Sequence, residues 1–147
     1  MPRDRPIPLG LAAAADRLLP DAFRALDENR PMEIRAPGSV RPWQHVLEPL
    51  SGYLMLAERL HRDGKEFSEA WNFGPTGESA RSVGDVMSRL VELEPSLRWV
   101  GDASNHPHEA RYLRLDSTRA RLKLGWRPHW GLEMALEKTL AWHRAWK

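Results

Sequence analysis

The chain has 147 residues and a mass of 16.9 kDa, enough for one domain but not for a dinucleotide-binding domain plus a separate substrate domain. Hydrophobic residues make up 41% and charged residues 29% of the chain, which excludes a disordered, collagen-like or coiled-coil protein. Cysteine is absent. Disulfides and thiolate metal sites are therefore excluded, and a cytoplasmic setting is expected. No apolar run approaches about 18 residues, so no membrane-spanning helix is predicted.

Charge is unevenly distributed although the net charge is only +2. Residues 110–147 carry nine basic against three acidic residues, whereas residues 46–109 carry six against eleven. The basic residues are 18 Arg and four Lys, and Arg is the side chain that binds phosphate in a bidentate fashion. An anionic small molecule is one interpretation of this bias. A solvated charged surface is the other, and composition alone favours it.

The first half of the chain predicts two helices and one strand. Pro20 suits the first turn of a helix, and Met32 to Arg35 has the pattern of a short strand. A second helix is predicted from Val46 to His61, closed by Gly64. Its apolar residues fall on one face at helical spacing, namely Leu47, Leu50, Leu54, Ala57 and Leu60.

The second half predicts three more helices and further short strands. Ser82 is the expected cap of a helix, with Asp85 three residues on, and Asp116 that of a short helix stopped by Gly125. The last helix is amphipathic from Leu132 onward. Strands are predicted at 70–73, 97–100 and 112–115. The expected fold is therefore mixed α/β, with about five helices and four short strands.

The motifs of a self-sufficient oxidoreductase are missing from the sequence. Its ten glycines do not form the Gly-rich turn that lets backbone N–H groups approach a pyrophosphate. A Tyr-x-x-x-Lys pair, in which Lys lowers the tyrosine pKa, is also absent, since Ala57 and Asp116 follow Tyr53 and Tyr112 by four positions. No catalytic residue and no bound cofactor are predicted for this chain.

Two clusters are candidates for ligand binding. In the stretch 41–49, Arg41 could hold a phosphate while Trp43 or His45 flanks a base or sugar. A half-buried Trp beside an arginine that caps carbonyl groups is the alternative, which spacing alone favours. In the second cluster, His106-Pro107-His108-Glu109, no further ligand completes a metal site. A polar loop facing a substrate is expected there instead. The basic residues of the C-terminal tail form no continuous stripe, so nucleic-acid binding is not predicted.

At these clusters the sequence resembles the C-terminal part of the CDP-glucose 4,6-dehydratases, which are extended short-chain dehydrogenases/reductases. The strings that carry the resemblance are RPWQHVLEPLSGYL, AWNFGP, HPHEARYLRLD, LGWRP and TLAWHRAW, in that order. The resemblance runs from about Ala14 to Lys147. It implies a sugar-nucleotide-binding lobe over residues 14–147, preceded by an atypical segment over residues 1–13.

The resemblance also implies a chemistry for the full-length enzyme. Such a lyase of bacterial surface-polysaccharide biosynthesis uses tightly held NAD to oxidise C4 of CDP-glucose, eliminates water across C5–C6 and returns hydride to C6. NAD and the catalytic Tyr and Lys lie in the N-terminal Rossmann domain of the family, which is absent from this sequence. The C-terminal part clamps the CDP-sugar.

Site residues follow from the resemblance position by position. The segment containing Arg17 and Leu19 matches backbone that lies along the nucleotide sugar, and Arg41 matches the arginine that meets the diphosphate. His106, His108 and Glu109 occupy the loop where related branches place a diphosphate-binding arginine. The alternatives to an inactive fragment are a non-catalytic CDP-sugar-binding module and a lobe complemented by a separately encoded NAD domain. Exposed apolar surface is expected where the Rossmann domain would dock.

Overall fold

The computed structural model describes residues 17–102 and 112–146. In chain order the elements are α1 (Leu18–Asp27), β1 (Met32–Ile34), β2 (Val40–Pro42), α2 (Leu47–Asp63), β3 (Ala80–Ser82), α3 (Val83–Leu93), β4 (Trp99–Gly101) and α4 (Leu132–Trp146). Short 3-10 helices cover Gly64–Phe67 and Gly77–Ser79, and a π-helical segment covers Ala120–Leu124. The predicted mixed α/β character is confirmed for these residues.

The described strands form two small ladders. β1 pairs with β4 in parallel, with Glu33 opposite Val100. β2 pairs with β3 antiparallel, with Arg41 opposite Arg81. Two-stranded ladders have little stability of their own, so the packing of the helices holds them in place.

Two apolar clusters form the interior. The first joins α1, β1, α3 and α4, with Ala22, Met87 and Leu90 fully buried. The second surrounds Trp126, whose ring meets Phe73 edge to face at 5.1 Å between centroids. The first cluster therefore backs the strand β1, and the second backs the helix α2.

The predicted helix caps are confirmed. Ser82 and Asp85 form a reciprocal capping box at the start of α3, which satisfies two N–H groups that the helix leaves unpaired. The Asp116 carboxylate accepts the Thr118 backbone N–H at 2.8 Å. Gly125 ends the π-helical segment in the left-handed conformation, with φ 72°.

Residues 70–73, predicted as a strand, form none. The Phe73 carbonyl accepts the Gln44 side-chain amide at 2.7 Å, and the next residue, Gly74, donates its N–H to Ser117 Oγ at 2.7 Å. Side chains thus satisfy this backbone in place of a ladder. The strand predicted at 112–115 is likewise reduced to a single bridge between Tyr112 and Val40.

The apolar face predicted on α2 points to solvent and not to the core. Leu54 is 73% exposed and Leu47 52% exposed. The opposite side of α2 packs inward, where a Cβ at Gly52 would lie 2.2 Å from Phe73 Cδ1. We call the exposed residues the α2 outer row: Val46, Leu47, Leu50, Tyr53, Leu54, Ala57 and Leu60.

Candidate functional site

A cavity of about 400 Å³ lies between the start of α1, the strand β1 and the strand β2. This volume is within the range of small-molecule sites. The lining contains three arginines, two carboxylates and one tryptophan, within the set Arg17, Leu18, Asp21, Met32, Glu33, Ile34, Arg35, Ala36, Arg41, Trp43 and Val83. An excess of guanidinium groups makes the cavity suited to an anion.

Arg17 and Leu19 flank the first turn of α1 and have different surroundings. Arg17 is the extended residue directly before the helix, is exposed and lines the cavity. Leu18 also lines it, whereas Leu19 packs against the first apolar cluster. The segment that the resemblance implies along the nucleotide sugar therefore borders the cavity through Arg17 and Leu18.

Arg41 lies on β2 and lines the cavity. Its Nη1 donates to the Val40 carbonyl at 3.0 Å. The residue opposite it in the antiparallel ladder is Arg81, so both side chains leave the same face of the sheet. Like charges directly opposite destabilise a ladder, and a bound anion would relieve that repulsion.

Trp43 is fixed at the edge of the same ladder. Its indole Nε1 donates to the Arg81 carbonyl at 2.9 Å, and its backbone N–H donates to the Ser79 carbonyl at 3.2 Å. The ring lines the cavity. Trp43 is thus a half-buried Trp beside an arginine that caps a carbonyl group, which is the alternative that spacing favoured. Its place at the cavity leaves contact with a base or sugar a prediction.

His45, the other residue considered to flank a base or sugar, makes its contacts within the protein. Its Nδ1 accepts the Leu47 N–H at 3.2 Å, and its ring meets Trp130 edge to face at 5.0 Å. Burial lowers the pKa of His45, against a smaller opposing effect of the Glu48 carboxylate. The imidazole therefore favours its neutral form in the folded protein.

Glu48 connects two of the strings that carried the resemblance. Its side chain is buried, and its two carboxylate oxygens accept the backbone N–H groups of His129 and Trp130, each at 2.9 Å. Trp126 Nε1 donates to Ser51 Oγ at 2.9 Å in the same region. Trp126 Nε1 also lies 3.3 Å from the Glu48 carbonyl, to which it donates, so RPWQHVLEP and LGWRP are joined by a direct contact.

Glu33 and Arg35 line the cavity but were not singled out from the sequence. In β1 the neighbours Met32 and Ile34 are buried while Glu33 is exposed, which is the alternation expected of a half-buried strand. Both side chains also border a second, adjoining cavity of about 850 Å³. The alternation of Met32-Glu33-Ile34-Arg35 in a predicted strand was the available signal.

Arg81 was missed for a different reason. Its relation to Arg41 depends on the pairing of β2 with β3, and neither strand was predicted. A lone arginine between small or apolar residues in Val40-Arg41-Pro42 and Ala80-Arg81-Ser82 is a weak local signal for strands of three residues.

His106, His108 and Glu109 lie outside the described residues. The described chain stops at Asp102, whose N–H donates to the Ile34 carbonyl at 2.8 Å. It resumes at Tyr112, which bridges Val40. Asp102 and Tyr112 thus contact the strands that carry Glu33 and Arg41. Within residues 17–102 and 112–146, no three His, Asp or Glu side chains gather as metal ligands.

Comparison with known proteins identifies a curated relative. The chain is 50% identical over 134 residues to the CDP-glucose 4,6-dehydratase of Salmonella typhimurium (strain LT2), which covers 90% of this chain and 37% of the relative. The predicted resemblance is confirmed. The chain thus spans little more than a third of the length of this dehydratase. No family model matches the chain.

Solved structures agree on the fold. The chain superposes on the UDP-glucuronic acid 4-epimerase of Bacillus cereus, in complex with UDP-glucuronic acid and NAD, with a TM-score of 0.73 and 18% identity, covering 90% of this chain and 41% of that one. For the NAD complex of the dTDP-glucose 4,6-dehydratase of Bacillus anthracis the TM-score is 0.66, with 18% identity and 88% and 39% coverage. The fold is therefore that of part of a short-chain epimerase or dehydratase. None of the described helices has the length and apolarity needed to cross a membrane.

Proposed function

We propose that this chain is the CDP-sugar-binding lobe of a CDP-glucose 4,6-dehydratase, over residues 14–147, and that it does not catalyse the dehydration by itself. The observation that carries the proposal is the 50% identity to such a dehydratase, over a stretch that includes an arginine-lined cavity. A cytoplasmic location is part of the same proposal, since the chain has no cysteine.

The cavity supplies the groups that a nucleotide diphosphate needs. Arg17, Arg35 and Arg41 line it, and planar guanidinium groups hold phosphate oxygens through paired N–H donors. Arg81 adds a fourth positive charge on the same sheet face as Arg41. The role of these residues in the proposal is to bind and orient the diphosphate. His106, His108 and Glu109 remain predicted contributors to the same site.

The described residues do not fit NAD. A dinucleotide needs a strand, a Gly-rich turn and a helix in succession so that backbone N–H groups reach the pyrophosphate. No such unit occurs in residues 17–102 or 112–146, and the whole sequence lacks the glycine pattern. No redox step is therefore assigned to the residues of this chain.

The exposed α2 outer row is a candidate binding surface for a protein partner. Contiguous exposed apolar surface on a soluble protein marks an interaction site, and this row includes side chains up to 73% exposed. We propose that it docks an NAD-binding domain, either from a longer protein or from a separately encoded chain. The second candidate function is a CDP-sugar-binding module with no catalytic partner, which the same cavity would serve.

The proposal is tested by titrating CDP into the wild-type chain and the Arg41→Ala variant. Loss of a charged hydrogen bond is expected to weaken binding by about 1.5–3 kcal/mol, or roughly 10- to 100-fold. Arg62→Ala is the matched control, because Arg62 is exposed on α2 and pairs with Asp63. Equal CDP affinity in all three proteins would remove Arg41 from the site.

A further inference from the structure

We propose that Glu33 selects the base of the nucleotide, by accepting a hydrogen bond from the exocyclic amino group of cytosine. This inference rests on the proposed function, since it assumes that the cavity holds a pyrimidine nucleoside diphosphate. It assigns base selection to a residue of β1, whereas the arginines would bind the diphosphate.

The backbone directs Glu33 into the site. β1 alternates, with Met32 and Ile34 at 8% and 5% exposure in the apolar core. Since successive side chains in a strand point to opposite faces, Glu33 points away from the core. It borders both the 400 Å³ cavity and the adjoining 850 Å³ cavity, so a ligand that extends from one into the other passes it.

The Glu33 carboxylate is available for a ligand. Two carboxylates line the smaller cavity, and one of them, Asp21, is paired with Arg24. The Glu33 side chain has no hydrogen-bond or ion-pair partner among the described residues, although Arg35 lies two positions away and also lines the cavity. Among the described residues that line the cavity, Glu33 thus supplies a carboxylate that is not paired with an arginine.

The chemistry of the pyrimidines makes such an acceptor selective. An ionised carboxylate only accepts hydrogen bonds, whereas a guanidinium group only donates them. Cytosine presents its N4 amino group as a donor, and thymine presents the O4 acceptor at the same place. Uracil carries the same O4 acceptor. Glu33 would therefore attract cytosine and repel uracil, whereas an arginine at that position would have the opposite preference.

The test compares the dissociation constants of CDP and UDP for the wild-type chain and for Glu33→Gln. The wild type is expected to prefer CDP. The glutamine amide offers both a donor and an acceptor, so the preference for CDP over UDP should fall by at least about tenfold. Glu66→Gln is the matched control, because Glu66 is exposed and lines neither cavity. Thermal melting of each variant verifies that it is folded.

The outcomes separate this inference from the function on which it rests. An unchanged preference in Glu33→Gln would overturn the inference while leaving CDP binding intact. Equal weakening of CDP and UDP would also overturn it, since the carboxylate would then contact the ribose or sugar. If the wild-type chain binds neither nucleotide, the proposed function fails as well.

Discussion

At the scale of single residues, the contacts of Glu48 show that a candidate binding string can also serve structure. Residues 41–49 are a candidate for ligand binding, although spacing alone favours a half-buried Trp beside a carbonyl-capping arginine, and Arg41 and Trp43 line the cavity. Glu48, however, is 4% exposed and accepts two backbone N–H groups from the loop before α4. The string 41–49 thus contributes residues that line the cavity and a buried carboxylate that holds the loop before α4.

Glu48→Gln is expected to destabilise the fold. The amide keeps one acceptor oxygen but turns an NH₂ group toward the second backbone N–H, which leaves a buried donor unpaired. The free energy of unfolding should fall by about 1–3 kcal/mol, measured by urea denaturation. The exposed Glu66→Gln should change it by less than about 0.5 kcal/mol. Equal stability of the two variants would contradict the role given to Glu48.

The residues that the resemblance implies as a site lie in different surroundings. Arg17 and Arg41 line the cavity, while Leu19 packs against the first apolar cluster, and nucleotide binding by these residues stays a prediction. Glu33 has a local signal, the alternation of Met32-Glu33-Ile34-Arg35, but that alternation does not show that a cavity lies on its side of the strand. Arg81 was missed because its place depends on the pairing of β2 with β3, a tertiary fact that a window of a few residues does not contain.

At the scale of elements, the helices and the strands β1 and β4 were predictable, whereas β2 and β3 were not. The capping box at Ser82 and the left-handed Gly125 are local signals, and both appear in the structure. Residues 70–73 have strand composition, yet side chains such as Gln44 and Ser117 satisfy the backbone there. The apolar residues of α2 do share one face, but periodicity does not tell whether that face packs against the protein core or binds a partner.

The α2 outer row is expected to bind an NAD-binding domain. The probe is the part of the Salmonella typhimurium dehydratase that precedes its matched region, expressed separately and mixed with this chain. Wild-type chain should co-elute with it, and Leu54→Glu should not, because a charge would be buried in an apolar contact. Leu54 is 73% exposed, so the variant alone should keep its stability within about 0.5 kcal/mol.

Leu122→Glu is the matched control for this prediction, since Leu122 is 80% exposed and lies outside the α2 outer row. It should co-elute like the wild type. The proposed docking surface would be wrong if Leu54→Glu also co-eluted, or if both variants failed to do so.

At the scale of the whole molecule, the chain spans 37% of the dehydratase it resembles and 39–41% of the two solved structures described above. Two features of the sequence indicated a match to only part of such an enzyme, namely the order of its motifs and the missing glycine pattern. Strands of three residues and an exposed apolar helix face are consistent with a lobe that is completed by further protein. In the function proposed above, this chain binds the nucleotide and NAD binds to another part of the enzyme.

The claim that this chain binds the nucleotide and does not bind NAD is tested most directly by two calorimetric titrations of the purified chain, one with CDP and one with NAD. We expect CDP to bind saturably at one site per chain, because the arginine-lined cavity is within the described residues. We expect no binding of NAD, because the chain lacks the glycine turn that would hold its pyrophosphate. Stoichiometric NAD binding, or the absence of CDP binding, would contradict the account.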